Sequence, residues 1–324
     1  MTQLPRRAVL AAPAALAAPA LAQAYPTRPI TMVVPFAAGG PTDTVARLLA
    51  QAMGPDLGGT IVVENVAGAG GTLGAQRVAQ ARPDGYTILC HHIGMATIPT
   101  LYRRLAYDPV NGFATIGMIT EVPMTIVGRR TLEANTLAEL VALVRQRGER
   151  LNYANAGIGA ASHLCGLLFM SAVGTAMTTV PYRGTGPAMN DLVAGTVDLM
   201  CDQTTNTAEQ IRAGTIKAFA VTTRERVPAL PELPTAAEAG LPDFEISVWH
   251  GLYAPRGTPE PIINRLSQSL QVALRSPVLV QRFADLGTTP VPPERATPAY
   301  HQRFWQADIA RWRPIIQAAG SFAD

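Results

Sequence analysis

Residues Pro35-Phe36-Ala37-Ala38-Gly39-Gly40-Pro41-Thr42-Asp43 form the stretch of this chain best suited to chemistry. They lie where an apolar run, Ile30 to Phe36, gives way to Val45, Leu48, Leu49, Ala52 and Met53 at helical spacing. Two adjacent glycines let the main chain turn tightly and approach a ligand closely, and Pro41 suits the first turn of a helix. The remaining amides of such a helix start have no intrahelical acceptor, and with the helix dipole they make a seat for an anion such as a carboxylate. The alternative is a plain strand-to-helix turn, capped by Thr42 or Asp43, with Asp43 paired to Arg47 one turn on.

Other loops repeat the pattern. Gly68-Ala69-Gly70-Gly71-Thr72-Leu73-Gly74 follows a second strand, and Asn155 to His163, with Gly157, Gly159 and Ser162, follows another. Tyr182-Arg183-Gly184-Thr185-Gly186-Pro187 and Asp202-Gln203-Thr204 also stand at strand ends. Ligands of open α/β sheets sit outside the carboxyl ends of strands, so these loops can face one crevice. The candidate contacts are Phe36, Ala37, Ala38, Gly39, Gly40, Thr42 and Asp43, then Gly70, Gly71 and His91, then Gly157, Ser162, His163, Tyr182, Asp202 and Gln203. Arg183 could face the same anion or lie on the surface with its stem beside Tyr182. Asp202 and Gln203 would offer an acceptor and a donor to the far end of a ligand, or cap the following helix.

Several chemistries are excluded or weakened. The Gly68 loop falls short of a dinucleotide fingerprint, with Leu73 in the place of the third glycine and no acidic residue about 20 positions on. His91 and His92 are adjacent on a strand and are expected to point to opposite faces, which argues against a shared metal. No helical zinc pair and no nucleophile elbow is present. A hydrolase would need Ser162, His163 and an acid assembled without a local signature. No cofactor and no metal is expected.

Elements must place these loops together. Short Val/Ile/Thr-rich runs alternate with helical stretches, the pattern of an α/β fold with parallel sheets covered by helices. Strands are predicted at Ile30–Phe36, Ile61–Asn65, Tyr86–His91, Phe113–Thr120, Leu151–Asn155, Met177–Pro181, Val197–Cys201, Ile216–Val221 and Ile246–Ala254, and a helix at Leu137–Arg147. Val227 to Asp243, with four prolines, reads as a long ordered loop. Two or three helices beyond Pro259 have no strands of their own and should return to the first sheet. The expected organisation is a discontinuous first domain, 25–124 and 247–324, with a second domain, 125–246, inserted through crossings near Val122–Met124 and Ile246.

The ends and composition agree. Arg6 and Arg7, an apolar run from Ala8 to Leu21, and Ala22-Gln23-Ala24 have the order of a secretory signal peptide over residues 1–24. The paired arginines also resemble a twin-arginine export signal, with Sec export the alternative. The run is shorter than the ~20 residues needed to span a bilayer. Its removal takes away Arg6 and Arg7 and lowers the formal net charge from +3 to +1. Basic residues are scattered and aromatic residues sparse, which leaves no footprint for nucleic acid. Cys90, Cys165 and Cys201 are an odd number, which speaks against a disulfide framework and for buried thiols, with a Cys165–Cys201 bridge as the alternative.

Taken in order, these motifs resemble the tripartite tricarboxylate transporter receptor family, also called Bug-type periplasmic solute-binding proteins. The likeness runs through Pro35–Asp43, Gly68–Gly74, Pro83-Asp84-Gly85-Tyr86, Ser162-His163-Leu164 and Pro181-Tyr182-Arg183-Gly184 with Gly186-Pro187. It continues through Ala213-Gly214, Leu233-Pro234-Thr235, Glu238, Gly240, Trp249, Gly251, Ala254-Pro255 and Gly257-Thr258-Pro259. The resemblance implies two doubly wound α/β domains of the type II periplasmic-binding-protein kind, hinge closure, and a carboxylate held by the first loop through amides and ordered water. It also implies contacts at Gly157, Ser162, His163 and Asp202, while Ala160 stands where relatives often carry Ser or Thr. The expected ligand is a di- or tricarboxylate, an acidic amino acid or an aromatic acid, and the expected partners are membrane transporter subunits. A monomeric periplasmic receptor is therefore expected, with a ligand sensor or adaptor for a signalling partner, or a periplasmic hydrolase, as alternatives.

Overall fold

The computed structural model describes residues 25–319, so the export segment read in residues 1–24 lies outside the described part. The chain first runs through β1 (Ile30–Val34), α1 (Pro41–Leu57), β2 (Ile61–Asn65), α2 (Thr72–Ala79), β3 (Thr87–His92), α3 (Gly94–Leu101) and a long β4 (Phe113–Arg129). It continues with α4 (Leu137–Arg147), β5 (Asn152–Asn155), α5 (Ala161–Val173), β6 (Thr178–Pro181), α6 (Thr185–Ala194), β7 (Leu199–Gln203), α7 (Thr204–Arg212) and β8 (Ile216–Val221). It returns through β9 (Ser247–Pro255) to α8 (Glu260–Leu274), α9 (Pro277–Asp285), β10 (Thr289–Pro290) and α10 (Pro298–Ala319).

These elements make two α/β domains joined by two crossings. The first sheet has the order β2-β1-β3-β9-β4-β10, and in the second β5 lies between β6 and β7 while β4 pairs with both β7 and β8. The first crossing, expected near Val122–Met124, is the middle of β4, which runs on past the predicted strand end at Thr120 to Arg129. Pro123 pairs with Ser247 of β9, and the next residue, Met124, pairs with Gln203 of β7. Continuing one strand keeps its main-chain groups hydrogen-bonded where a buried loop would leave them unpaired. The sheets are mixed rather than parallel, for a reason of connectivity. β1, β2 and β3 are parallel, as are β5, β6 and β7, whereas β9 enters the first sheet antiparallel and β4 enters the second antiparallel. Each of these two reversed strands arrives from the other domain, and the two-residue β10 also runs against β4 at the edge of the first sheet.

Helix α1 shows why the local sequence folds as it does. Gly40 at its N-cap is extended, Pro41 opens the first turn, and Gly58 ends it with φ +66°. Val45, Leu49 and Met53, four residues apart, are fully buried together with Ala46, which stabilises the helix by roughly 1.5–3 kcal/mol for each large side chain. At the other end of the chain, α10 packs back on the first domain through Trp305, whose indole donates to the Met95 carbonyl (2.9 Å). The cysteines depart from the thiol reading: Cys165 of α5 and Cys201 of β7 form a disulfide with Cα atoms 6.0 Å apart, and Cys90 is free and buried. An odd count shows that one thiol is left over, not that none is paired.

Candidate functional site

The Pro35–Gly40 loop is held from behind by Asp43. Its carboxylate accepts from the Gly39 amide (3.0 Å), Arg47 (2.9 Å) and Asn65 (2.9 Å), and Asn65 also donates to the Phe36 carbonyl. Burial alone would raise the Asp43 pKa, but these hydrogen bonds outweigh it and hold the carboxyl below its usual range. The turn and the Asp43–Arg47 pair foreseen as the plain alternative are therefore present, and they brace the loop rather than consume it. The Ala37 amide donates across the crevice to the Arg183 carbonyl (2.9 Å). The amides of Ala38, Gly40, Thr42 and Asp43 have no acceptor among the described residues.

Between the domains lies a tight cavity of about 10 Å³, lined by Phe36, Pro41, Thr42, His92, Ala156, Ala161, Ser162, Thr185, Asp202 and Gln203. These residues include the first turns of α1, α5 and α6 and the N-cap of α7, so four helix N-termini converge on one small space. Each carries a partial positive charge and unpaired amides, together a strong seat for anions. No lysine or arginine lines the cavity. A larger groove of about 520 Å³ beside the crossings, between Glu121, Pro123, Arg226, Ser247 and Thr288, receives none of the glycine loops. The helix that meets it, α9, presents its C-terminal end through Ala284 and Gly287, where carbonyl oxygens would repel an anion.

Phe36 stacks on His92 (centroids 4.7 Å, 26°) and meets His91 edge-on (5.4 Å). His250 reaches Thr42 of α1 through Nε2 (3.3 Å to Oγ1). Burial drives the His92 pKa down to about 3, and burial with neighbouring imidazoles drives those of His91 and His250 well below the usual value, so all three are neutral. His91 and His92 are not on opposed faces, since their rings lie 4.9 Å apart around Phe36 where the strand ends. Among the described residues no cluster of three His, Cys, Asp or Glu could hold a metal.

On the facing domain, Ser162 Oγ accepts the Ala156 amide (2.9 Å), and the disulfide ties α5 to β7 directly behind the cavity wall. Asp202, 1 % exposed, accepts from Asn206 (2.5 Å), and burial pushes its pKa up to about 6 against hydrogen bonds from Asn206, the Gln203 amide and Thr185. Gln203 Oε1 is buried without a partner.

Of the sequence-selected residues, Phe36, Thr42, Ser162, Asp202 and Gln203 line the cavity. Ala37, Ala38, Gly39 and Gly40 form its rim against Gly184 and Gly186, and a side chain at Gly186 would come within 2.7 Å of the Ala38 carbonyl. Gly70 and Gly157 meet across the crevice, while Gly71 packs on His91 and Phe36. His163 turns aside to the Gly159 amide (3.4 Å), so it is not joined to Ser162 as a nucleophile's base would be. The Tyr182 hydroxyl donates to Asp191 (2.6 Å) and Arg183 is exposed. Pro41, His92, Ala156, Ala161 and Thr185 line the cavity without having been selected. Each of them stands in or beside a selected strand-end loop, and that position was the available signal.

Residues 45–321 match the family described as "Tripartite tricarboxylate transporter family receptor". A protein encoded in the TAR-I ttuE-ttuC' intergenic region of Agrobacterium vitis is 53% identical over 296 residues, 91% of this chain and 86% of its own. The structure of the periplasmic binding protein BugD is similar with a TM-score of 0.90 and 49% identity, covering 93% of this chain and 100% of BugD. MatC from Rhodopseudomonas palustris with bound malate is similar with a TM-score of 0.86 and 42% identity, covering 90% and 100% of the two chains.

Proposed function

The chain belongs to the tripartite tricarboxylate transporter receptor family, and from that premise we propose that it is a periplasmic receptor capturing a small organic carboxylate between its domains and delivering it to membrane transporter subunits. The observation that carries this reading is the convergence of the α1, α5, α6 and α7 N-termini on one cavity that lacks cationic side chains. Main-chain amides recognise a carboxylate by its charge and two oxygens, and a wall without cationic side chains lets the domains reopen after capture, which a buried ion pair would resist. Malate in the MatC structure supports the same ligand class for this chain.

In this reading the loop Phe36–Thr42 takes one carboxylate, and Ser162, Thr185, Asp202 and Gln203 receive the rest of the molecule. Residues 25–124 with 247–319 form one lobe and residues 125–246 the other, and they hinge where β4 and β9 cross. The contacts across the crevice, Ala37 to Arg183 and Tyr102 to Ile158, belong to the closed form. Protein unfolded and refolded to strip carried ligand, then titrated calorimetrically with mono-, di- and tricarboxylates and acidic amino acids, should bind members of at least one class. Mass spectrometry of the protein before refolding should find the same class retained. Silence toward the whole panel would sink the proposal.

A further inference from the structure

We infer that Asp202 is a specificity-determining residue that selects carboxylic acids bearing a hydroxyl or amino donor over otherwise identical acids that lack it. The inference rests on the receptor reading above and narrows its ligand class.

Asp202 is an acidic side chain in the wall of a cavity otherwise built to attract anions. It is 1 % exposed, and no Lys, Arg or charged His lines the space it faces. Its known donors are Asn206, the Gln203 amide and Thr185. A carboxylate offers about four acceptor directions, so one remains for a ligand. At pH 7.5, with a pKa of about 6, the group is ionised and can only accept. A second ligand carboxylate placed there would set two negative charges together out of water. A ligand hydroxyl or ammonium group would instead complete the shell of Asp202, while the ligand's carboxylates lie on the helix N-termini. Gln203, whose Oε1 is buried and unpartnered, can turn either end of its amide to the ligand and does not discriminate. Asp202 therefore sets the sign of the preference.

The test uses matched pairs that differ by one donor: succinate and malate, glutarate and glutamate, phenylacetate and mandelate. Calorimetry at pH 7.5 on refolded parent protein should find the donor-bearing member of a bound pair tighter by about 10- to 100-fold, the value of a hydrogen bond to a charged acceptor. In Asp202→Asn, which keeps the shape and loses the charge, that ratio should fall to within about threefold. Thermal melting of the variant establishes that it is folded, and the parent's own preference needs no variant. Equal affinities within the pairs bound by the parent, or a preference left intact in Asp202→Asn, would overturn the role of Asp202 and leave the receptor reading standing. Silence of the parent toward all six compounds and toward the broader panel would overturn both.

Discussion

At the scale of single residues, the anion seat depends on backbone that no side chain obstructs. Gly40 lies in extended backbone that other residues can adopt, but a Cβ there would stand 3.4 Å from the Gly186 amide nitrogen, and a branched side chain would press into it. Gly40→Val should therefore weaken acid binding by at least about tenfold, because closure and the close approach of ligand to the amides are both blocked. Arg183→Ala should stay within about twofold, since its exposed side chain is removed while its carbonyl still accepts from Ala37. Calorimetry with any acid bound by the parent checks both, and equal affinities for the two variants would contradict the loop's role. The glycine loop was readable in the sequence because tight turns and helix starts have local chemistry. His92 was not, because which of two adjacent histidines faces the ligand is set by where β3 stops against Phe36.

At the scale of elements, closure is held by short contacts between loops of the two domains. The Tyr102 hydroxyl lies within hydrogen-bonding distance of the Ala69 carbonyl (2.8 Å) and the Ile158 carbonyl (2.9 Å), one from each domain, beside Gly70. Tyr102→Phe should lower acid affinity by about 2- to 10-fold through a smaller closed population, the worth of one net hydrogen bond of 0.5–1.5 kcal/mol. A Cβ on Gly70 would fall 1.8 Å from the Ile158 oxygen, and Gly70 already has φ +62°, so Gly70→Ala should prevent full closure. Small-angle scattering of acid-loaded protein should show Gly70→Ala more extended than the parent. Identical compaction would refute a latch at this edge.

At the scale of the whole molecule, buried titratable groups set the response to pH. His91, His92, His250 and His301 are fully or nearly fully buried, and burial depresses every one of their pKa values, to about 3 for His92 and His301. Below the ordinary histidine value of 6.5 the unfolded chain takes up protons that the folded chain refuses, so stability falls as pH falls. Each such group costs about 1.4 kcal/mol per pH unit below that value. Asp202 works the other way: its folded pKa near 6 exceeds the ordinary 3.8, so its contribution to stability grows as pH falls from 6 towards 4. His163, lowered by burial to about 4, adds to the loss, and Asp308, raised by burial, adds to the Asp202 side, so five histidines against two carboxyls give a net loss on acidification. Urea midpoints at pH 7.5 and 5.5 should show the protein clearly weaker at 5.5, and an unchanged or higher midpoint would contradict neutral buried imidazoles.

The amino-acid sequence alone determined the α/β class, the strand-end glycine loops, the α4 helix over Leu137–Arg147 and the return of the last helices to the first domain. Each of these follows from local propensity, apolar spacing or chain order. Only the tertiary structure decided that β4 crosses between sheets unbroken, that β9 and β4 run reversed, and that Cys165 meets Cys201. It also turned Thr185 rather than Tyr182 into the cavity. These outcomes depend on distances between residues far apart in the chain, which packing sets and local spacing does not encode.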